Sequence, residues 1–133
     1  MIDVSNRVLT NIETYISDLC GSVVSGPNKA PPSFPAVQVT QIDNSDIGVD
    51  LENSENAAKS VIEIQCYSDK NLVESKQIVN RCCDAMRIMG YVRTYGPKPV
   101  SNVADTSLYR TVARFNRTVS SVNEIKKFET KGA

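Results

Sequence analysis

The first twenty residues repeat apolar side chains at spacings of three and four, the period of an α-helix with one buried face. The apolar positions are Val4, Val8, Ile12, Tyr15, Ile16 and Leu19. Asp3 stands where a helix N-cap is preferred, and Gly21 follows the last apolar position, where helices often end. The pattern therefore predicts one amphipathic helix over residues 4–20.

Two later segments alternate apolar and polar side chains, which is the period of a half-buried β-strand. The first covers residues 36–42. The second covers residues 60–67 and is the clearer one, with Ile62, Ile64 and Cys66 on one face. Both segments therefore predict strands of a sheet with one apolar face.

Two connecting segments have compositions that disfavour a helix. Residues 25–35 contain closely spaced prolines, which favour turns and extended chain. Residues 43–58 carry five acidic residues and no basic residue. We expect a solvated loop or a loose hairpin there, with a short strand possible at Ile47, Val49 and Leu51.

A second amphipathic helix is predicted over residues 70–89, with Asp69 as its N-cap. Its core-facing positions are Val79, Cys82, Met86 and Met89. Its water-facing positions are Lys76, Arg81, Asp84 and Arg87. Gly90 stands where a left-handed residue commonly ends a helix.

The last part of the chain predicts a short strand and a long one. Residues 91–95 form the short strand, and Gly96-Pro97-Lys98-Pro99 turns the chain into a loop that reaches Thr106. Residues 107–119 alternate as a strand of about 43 Å, whereas a compact chain of this length has a diameter of about 36 Å. We therefore expect this strand to overhang its own sheet. The unpaired backbone groups would favour an oligomer.

Together these elements predict an α+β fold, with a mostly antiparallel sheet of about four strands and two helices packed on one face. The chain has 133 residues, the size of one ordinary domain. We expect a single domain over residues 1–119. Residues 120–133 are expected to form a polar C-terminal tail, flexible or ordered by a partner.

Composition argues against several kinds of chemistry. The chain has no histidine, which removes the commonest general base and metal ligand. The cysteines Cys20, Cys66, Cys82 and Cys83 form no CxxC pair, so we interpret them as small buried hydrophobic residues. No nucleophile or phosphate-loop constellation is visible, and we expect neither enzymatic activity nor a metal or other cofactor. We also expect no membrane span and no secretory signal.

The charge of the chain is balanced overall but divided between its halves. Residues 1–66 hold nine acidic and three basic residues, whereas residues 67–133 hold six acidic and twelve basic ones. The two halves could fold against each other in a monomer, or they could mix on a solvated surface. Alternatively, the acidic side of one subunit could meet the basic side of its neighbour in a ring.

An acidic run in the first half is one candidate interface. Its members are Asp46, Asp50, Glu52 and Glu55. The run could dock against another protein or a neighbouring subunit, or it could be a plain solvated loop. Its spacing does not fit a calcium-binding EF-hand loop, because no glycine stands at the sixth position.

Three arginines of the final predicted strand are the second candidate interface. Arg110 and Arg114 share one face of that strand, and Arg117 lies on the other. They could pair with the acidic run of the next subunit, line a bore, or keep an exposed edge strand soluble.

The order of the elements and four short segments resemble the tail-terminator and tail-completion (neck) proteins of tailed bacteriophages. The segments are Phe34-Pro35-Ala36-Val37, Ile64-Gln65-Cys66-Tyr67-Ser68, Met86-Arg87-Ile88-Met89-Gly90-Tyr91 and Tyr109-Arg110 to Phe115-Asn116-Arg117. The resemblance covers residues 34–119, about two thirds of the chain. It lies in element order and pattern, and no single motif is diagnostic.

The resemblance implies a homohexameric ring in the virion, assembled in the host cytoplasm, that caps a completed tail tube. The ring would end tube growth, contact the tube and possibly the sheath, offer the docking surface for the head–tail connector, and let double-stranded DNA pass without specific binding. A head-closure protein on the portal side is the alternative from the same structural class. A small bacterial ligand-binding module is the alternative from a different class.

Overall fold

A mixed sheet of five strands organises the chain in the computed structural model, which describes residues 2–25, 34–47, 57–100, 108–121 and 124–125. The elements are α1 (Ser5–Tyr15), β1 (Ser22–Ser25), β2 (Ala36–Ile47), β3 (Ala57–Ser68), α2 (Leu72–Ile88), β4 (Val92–Val100) and β5 (Tyr109–Val119). The strand order is β1-β2-β3-β5-β4, with β1 parallel to β2 and the other pairs antiparallel. The predicted α+β class is confirmed. The predicted count of about four strands is wrong, because the four-residue β1 is too short to show a period.

The hydrophobic core lies between one face of this sheet and both helices, as predicted. The sheet contributes Val37, Ile62, Ile64, Cys66, Ala113 and Phe115, and the helices contribute Val8, Ile12, Val79, Cys82 and Met86. α1 packs against β1, β2 and α2, while α2 packs against β3, β4 and β5. Full burial of a large apolar side chain contributes roughly 1.5–3 kcal/mol, so this shared layer holds the two helices to the sheet.

The first helix is shorter than predicted and begins differently. It ends at Tyr15, and residues 16–19 continue as turns. Its N-cap is Val4, whose side chain makes no capping hydrogen bond. Asp3 instead accepts the backbone N–H of Ser5 at 3.0 Å. This hydrogen bond lowers the pKa of the Asp3 carboxyl, because it favours the charged form.

The second helix has the predicted core face but a different N-cap. Asn71, not Asp69, caps the helix by accepting the backbone N–H of Glu74 at 2.8 Å. The hydroxyl of Ser68 accepts the backbone N–H of Lys70 at 3.1 Å, which fixes the bend before the helix. The helix therefore starts two residues later than predicted. Its end agrees with the prediction, since Gly90 has a φ of +84°.

Strand β4 continues through the predicted Gly-Pro-Lys-Pro turn. Residues 91–95 were expected to be the whole strand, but β4 extends from Val92 to Val100. The irregularity shows instead as two register shifts against β5, one on each side of Tyr95. Gly96 has a φ of +71°, and a Cβ there would collide with the carbonyl oxygen of Val112. Glycine therefore lets the strand bend while it stays paired.

The expectation that the final strand overhangs its sheet is wrong. β5 covers residues 109–119 and lies between β3 and β4, so it is not an edge strand. All of its residues, from Tyr109 opposite Ser68 to Val119 opposite Ala58, pair with β3. The edges of the described sheet are β1 and β4. The error arose because β3 is as long as β5 and supports it along its full length.

The predicted loose hairpin corresponds to the long β2–β3 hairpin. β2 reaches Ile47, which pairs with Ala57 of β3, and a bulge interrupts the register at Ile42. Val49 and Leu51 of the suggested short strand lie outside the described residues, as does most of the proline-rich segment 25–35.

The packed part of the chain extends beyond residue 119. Ile125 is fully buried and belongs to the core cluster. Its carbonyl oxygen accepts a hydrogen bond from the Arg7 guanidinium at 2.9 Å, which ties it to α1. At least this part of the predicted tail is therefore integrated with the domain, while residues 126–133 lie outside the described ranges.

Candidate functional site

The strand order places most of the acidic half and most of the basic half of the chain at different parts of the sheet, while two ion pairs, Arg81–Asp18 and Arg114–Glu63, join the two halves. α1, β1 and β2 derive from the acidic half and lie on one side, which we call the acidic side. α2, β4 and β5 derive from the basic half and lie on the other, which we call the basic side. The basic side carries Lys76, Arg81, Arg87, Arg93, Lys98, Arg110, Arg114 and Arg117. Two acids in those elements, Glu74 and Asp84, oppose them.

Arg114 lies on the sheet face away from the helices and pairs within its own chain. Its Nε donates to Glu63 of β3 at 2.7 Å, and its guanidinium lies 5.3 Å from the ring centre of Tyr95. Glu63 also accepts from the amide of Gln65 at 2.8 Å, and Gln65 in turn accepts from the Tyr67 hydroxyl at 3.0 Å. Arg114 thus lies at one end of a row of polar side chains on β3, and Glu63 offsets its charge.

Arg110 shares this face with Arg114, as the alternation predicted. It stands opposite Tyr67 in the register between β3 and β5. Its Nε is buried and has no hydrogen-bond partner in the described part of the chain. A buried, unpaired guanidinium nitrogen costs free energy, so Arg110 is the least satisfied of the three β5 arginines.

Arg117 lies on the opposite face and has a structural role that the sequence did not reveal. Its guanidinium donates to the carbonyl oxygen of Met89 at 2.5 Å, at the C-terminal end of α2. It also lies 3.6 Å from the carboxylate of Glu124. A cation at this end of a helix offsets the partial negative charge of its carbonyl groups. Arg117 therefore joins β5, α2 and the segment after β5.

Among the residues that the structure describes, the ion pairs of the β5 arginines do not involve the acidic run. Arg114 pairs with Glu63 and Arg117 with Glu124. Asp46 lies near the end of β2, at the closed end of the β2–β3 hairpin. Asp50, Glu52 and Glu55 lie outside the described residues.

A cleft at the end of α2, which the sequence did not single out, holds two further arginines. We call it the basic cleft; its lining residues are Cys83, Arg87, Tyr91, Val92, Arg93 and Phe115. Its volume is about 340 Å³. The ion pairs of the described residues involve Lys70, Arg81, Arg114 and Arg117 as cations, and neither Arg87 nor Arg93. The basic cleft therefore presents two arginines without carboxylate partners in that part of the chain.

A chain of hydrogen bonds runs from the basic cleft to the start of α1. The Tyr91 hydroxyl donates to Ser60 at 2.9 Å, and Ser60 donates to Gln41 at 3.0 Å. The Gln41 amide then donates to Asp3 at 3.2 Å. Burial raises the pKa of the Tyr91 hydroxyl, so this group stays protonated and keeps its donor role.

The thiols follow the sequence interpretation. All four cysteines are free, with Cys20, Cys66 and Cys82 buried and Cys83 partly exposed at the basic cleft. Burial raises the pKa of Cys20, Cys66 and Cys83. These thiols therefore stay neutral, which suits small hydrophobic residues.

No group of three or more metal-ligating side chains occurs among the residues that the structure describes. The described helices include none that is both long and apolar enough to span a bilayer. No protein-family model matches the sequence, and no curated protein matches it either.

Proposed function

We propose that the chain is a structural subunit of a phage or phage-like tail, where it closes into a homohexameric ring on the end of the completed tail tube. The ring ends tube growth and provides the surface on which the filled head docks. This role is mechanical, so it requires no enzymatic activity and no cofactor. The ring belongs to the virion and contacts the tube, the head–tail connector and, where the tail has one, the sheath.

The separation of charge across the sheet is the observation that supports this proposal most. An acidic side and a basic side on one domain favour a contact that joins the acidic side of one copy to the basic side of the next. A head-to-tail contact uses two different patches on each subunit, and it generates a ring when the rotation between copies closes. Like charges disfavour a contact in which one patch meets its own copy, so the favoured contact joins the acidic side of one subunit to the basic side of another.

The two edges of the described sheet favour a contact through side chains over one through backbone pairing. β1 has four residues, which offers little length for another strand. β4 contains Pro97 and Pro99, which lack the N–H groups that a pairing strand needs. The final strand does not support an oligomer, because β5 lies inside the sheet and does not overhang it. The support comes from the distribution of charge.

The state of two β5 arginines, Arg114 and Arg117, fits passage of DNA better than binding of DNA. Arg114 is neutralised by Glu63, and Arg117 is engaged by Met89 and Glu124. Free arginines lining a bore would attract phosphates and retard the duplex, because phosphate contacts dominate affinity for DNA. A bore lined by paired charges would let the duplex pass.

Deletion of the coding gene from the genome that carries it tests the proposed function. We expect filled heads without tails, together with tail tubes of uncontrolled length, visible by electron microscopy. Added protein should appear as a ring on the ends of those tubes. Tubes of normal length that accumulate beside unjoined heads, with the protein bound to heads alone, would instead assign it to head closure. Normal infectious particles without the gene would contradict both roles.

A further inference from the structure

We propose that the basic cleft is the receptor of the subunit contact, and that it binds carboxylate side chains of the acidic run of a second copy of this chain. The proposal rests on the head-to-tail assembly inferred above and names its two surfaces. The occupant is residues 43–55 of the neighbour, which include Asp46, Asp50, Glu52 and Glu55.

The shape and lining of the basic cleft fit an acidic segment that also carries apolar residues. Arg87 and Arg93 are exposed and supply the cations, while Val92, which is 64% exposed, supplies apolar surface. The Tyr91 hydroxyl is engaged by Ser60 and adds no competing polar group. A volume of about 340 Å³ holds more than one side chain, and guanidinium groups bind carboxylates in a bidentate manner.

The charge of the basic cleft is not cancelled from within the described chain. Neither Arg87 nor Arg93 takes part in an ion pair there. The Cys83 thiol interacts with Arg93 but brings no negative charge, because burial raises the pKa of that thiol. Asp84 is the acidic residue of α2 closest to the site in sequence, and it forms no ion pair with either arginine.

The end of α2 would normally repel an anion, but here that effect is reduced. The last carbonyl groups of a helix carry partial negative charge. Arg117 donates to the carbonyl of Met89 and so covers this end of the helix. Arg117 thus reduces the negative charge beside the basic cleft, whereas Arg87 and Arg93 would contact the partner.

The acidic run matches this receptor in composition and pattern. Residues 43–58 hold five acidic residues and no basic residue. Between residues 46 and 52, the acids are interspersed with Ile47, Val49 and Leu51. Such a segment can present carboxylates to Arg87 and Arg93 and apolar side chains to Val92. Arginine is also among the residue types that dominate the energy of protein interfaces.

A charge-swap mixing experiment tests the proposal. One variant carries Arg87→Glu and Arg93→Glu, and a second carries Asp50→Lys and Glu52→Lys. Each variant alone should associate at least about tenfold more weakly than the wild type in sedimentation velocity, because like charges then meet in the contact. An equimolar mixture should restore the assembly, because each variant's altered surface is complementary to the other's.

The control variant carries Lys76→Glu and Lys98→Glu, which make the same charge change on exposed lysines outside the basic cleft. It should associate within about threefold of the wild type. Circular dichroism establishes that each variant is folded. Should the glutamate pair in the cleft fail to fold, Arg87→Gln with Arg93→Gln replaces it, and a similar loss of association is expected.

Several results would overturn the proposal. The first is that the variant at Arg87 and Arg93, or the variant at Asp50 and Glu52, associates as strongly as the wild type. The second is that the two variants are folded but do not assemble when they are mixed. The last result would mean that the acidic run meets the cleft of its own chain or does not meet it at all. Tube capping in the deletion strain is scored separately, so rings that form without this contact would refute the inference and leave the proposed function standing.

Discussion

Two groups of arginines on the basic side of the molecule differ in what surrounds them. Arg114 and Arg117 of β5 each have a carboxylate partner from the same chain. Arg87 and Arg93, at the end of α2 and the start of β4, have none among the described residues. A carboxylate partner in the same chain, and not membership of a long strand, therefore distinguishes structural arginines from candidate interface arginines.

The position of each group in the sheet explains this difference. β5 lies between β3 and β4, so its side chains have neighbours on both sides. β4 is an edge strand, and the basic cleft opens where β4 and α2 meet at that edge. Substitutions in the central group should therefore change stability, whereas those in the basic cleft should change association.

The largest effect on stability is expected at Gly96, in β4. Gly96→Ala places a Cβ against the Val112 carbonyl and forces alanine to a φ of +71°. The change should lower the free energy of unfolding by about 3 kcal/mol or more, measured by urea denaturation. Gly21→Ala is the matched control, since an added Cβ at Gly21 meets nothing within 4 Å. Equal stability of the two variants would contradict the described path of β4.

A smaller loss is expected when Arg117 is removed. Arg117→Ala leaves the carbonyl of the buried Met89 without this partner, which should cost about 1–3 kcal/mol. Arg87→Ala removes an exposed arginine without an ion pair and should change stability by about 0.5 kcal/mol or less. If chemical denaturation gives both variants the same free energy of unfolding, then Arg117 does not stabilise the fold more than Arg87 does.

The pair of Arg114 and Glu63 should contribute less than Arg117. The Arg114 side chain is 49% exposed and that of Glu63 is 14% exposed, so water screens their attraction in part. A double-mutant cycle with Arg114→Gln and Glu63→Gln should give a coupling energy of about 0.5–1 kcal/mol that falls with added salt. A coupling near zero at low salt would show that Arg114 is as free as the arginines of the basic cleft.

The smallest effect is expected at Asp3, on the acidic side. The hydrogen bond from Ser5 lowers the pKa of Asp3 in the folded state below its ordinary value of 3.8. Its contribution is therefore present above that value and is lost as the pH falls through the lowered pKa. Because the carboxyl is largely exposed, Asp3→Asn should cost about 0.5 kcal/mol or less at pH 7, and the cost should decrease as the pH falls below 3.8. A loss that stays the same as the pH falls, measured by thermal denaturation, would contradict the role of the ionised carboxylate.

Local periodicity was sufficient to predict much of the fold. The alternation of β3 predicted which of its side chains are buried, and the stack from Val79 to Met89 predicted the core face of α2. Gly90 was correctly predicted to end α2 with a positive φ. These features depend on neighbours a few residues away, which a sequence pattern records directly.

Features that depend on distant neighbours were not predictable from this pattern. The place of β5 between β3 and β4 follows from strand order, so its predicted exposure was wrong. The partners of Arg117 lie seven and 28 residues away in sequence, at Glu124 and Met89. The basic cleft combines residues of α2, β4 and β5. The sequence therefore predicted that Arg87 faces water, but it did not predict that Arg87 and Arg93 lie together. Candidate sites built across elements therefore needed the structure.

The mass of the protein in solution tests the central claim of head-to-tail assembly most directly. Native mass spectrometry and sedimentation at low salt should give a species of six chains, six times the 14.6 kDa of one subunit. That species should dissociate as salt rises, because the contact joins opposite charges. A monomer at every concentration and salt level, with no ring on tube ends, would contradict the account.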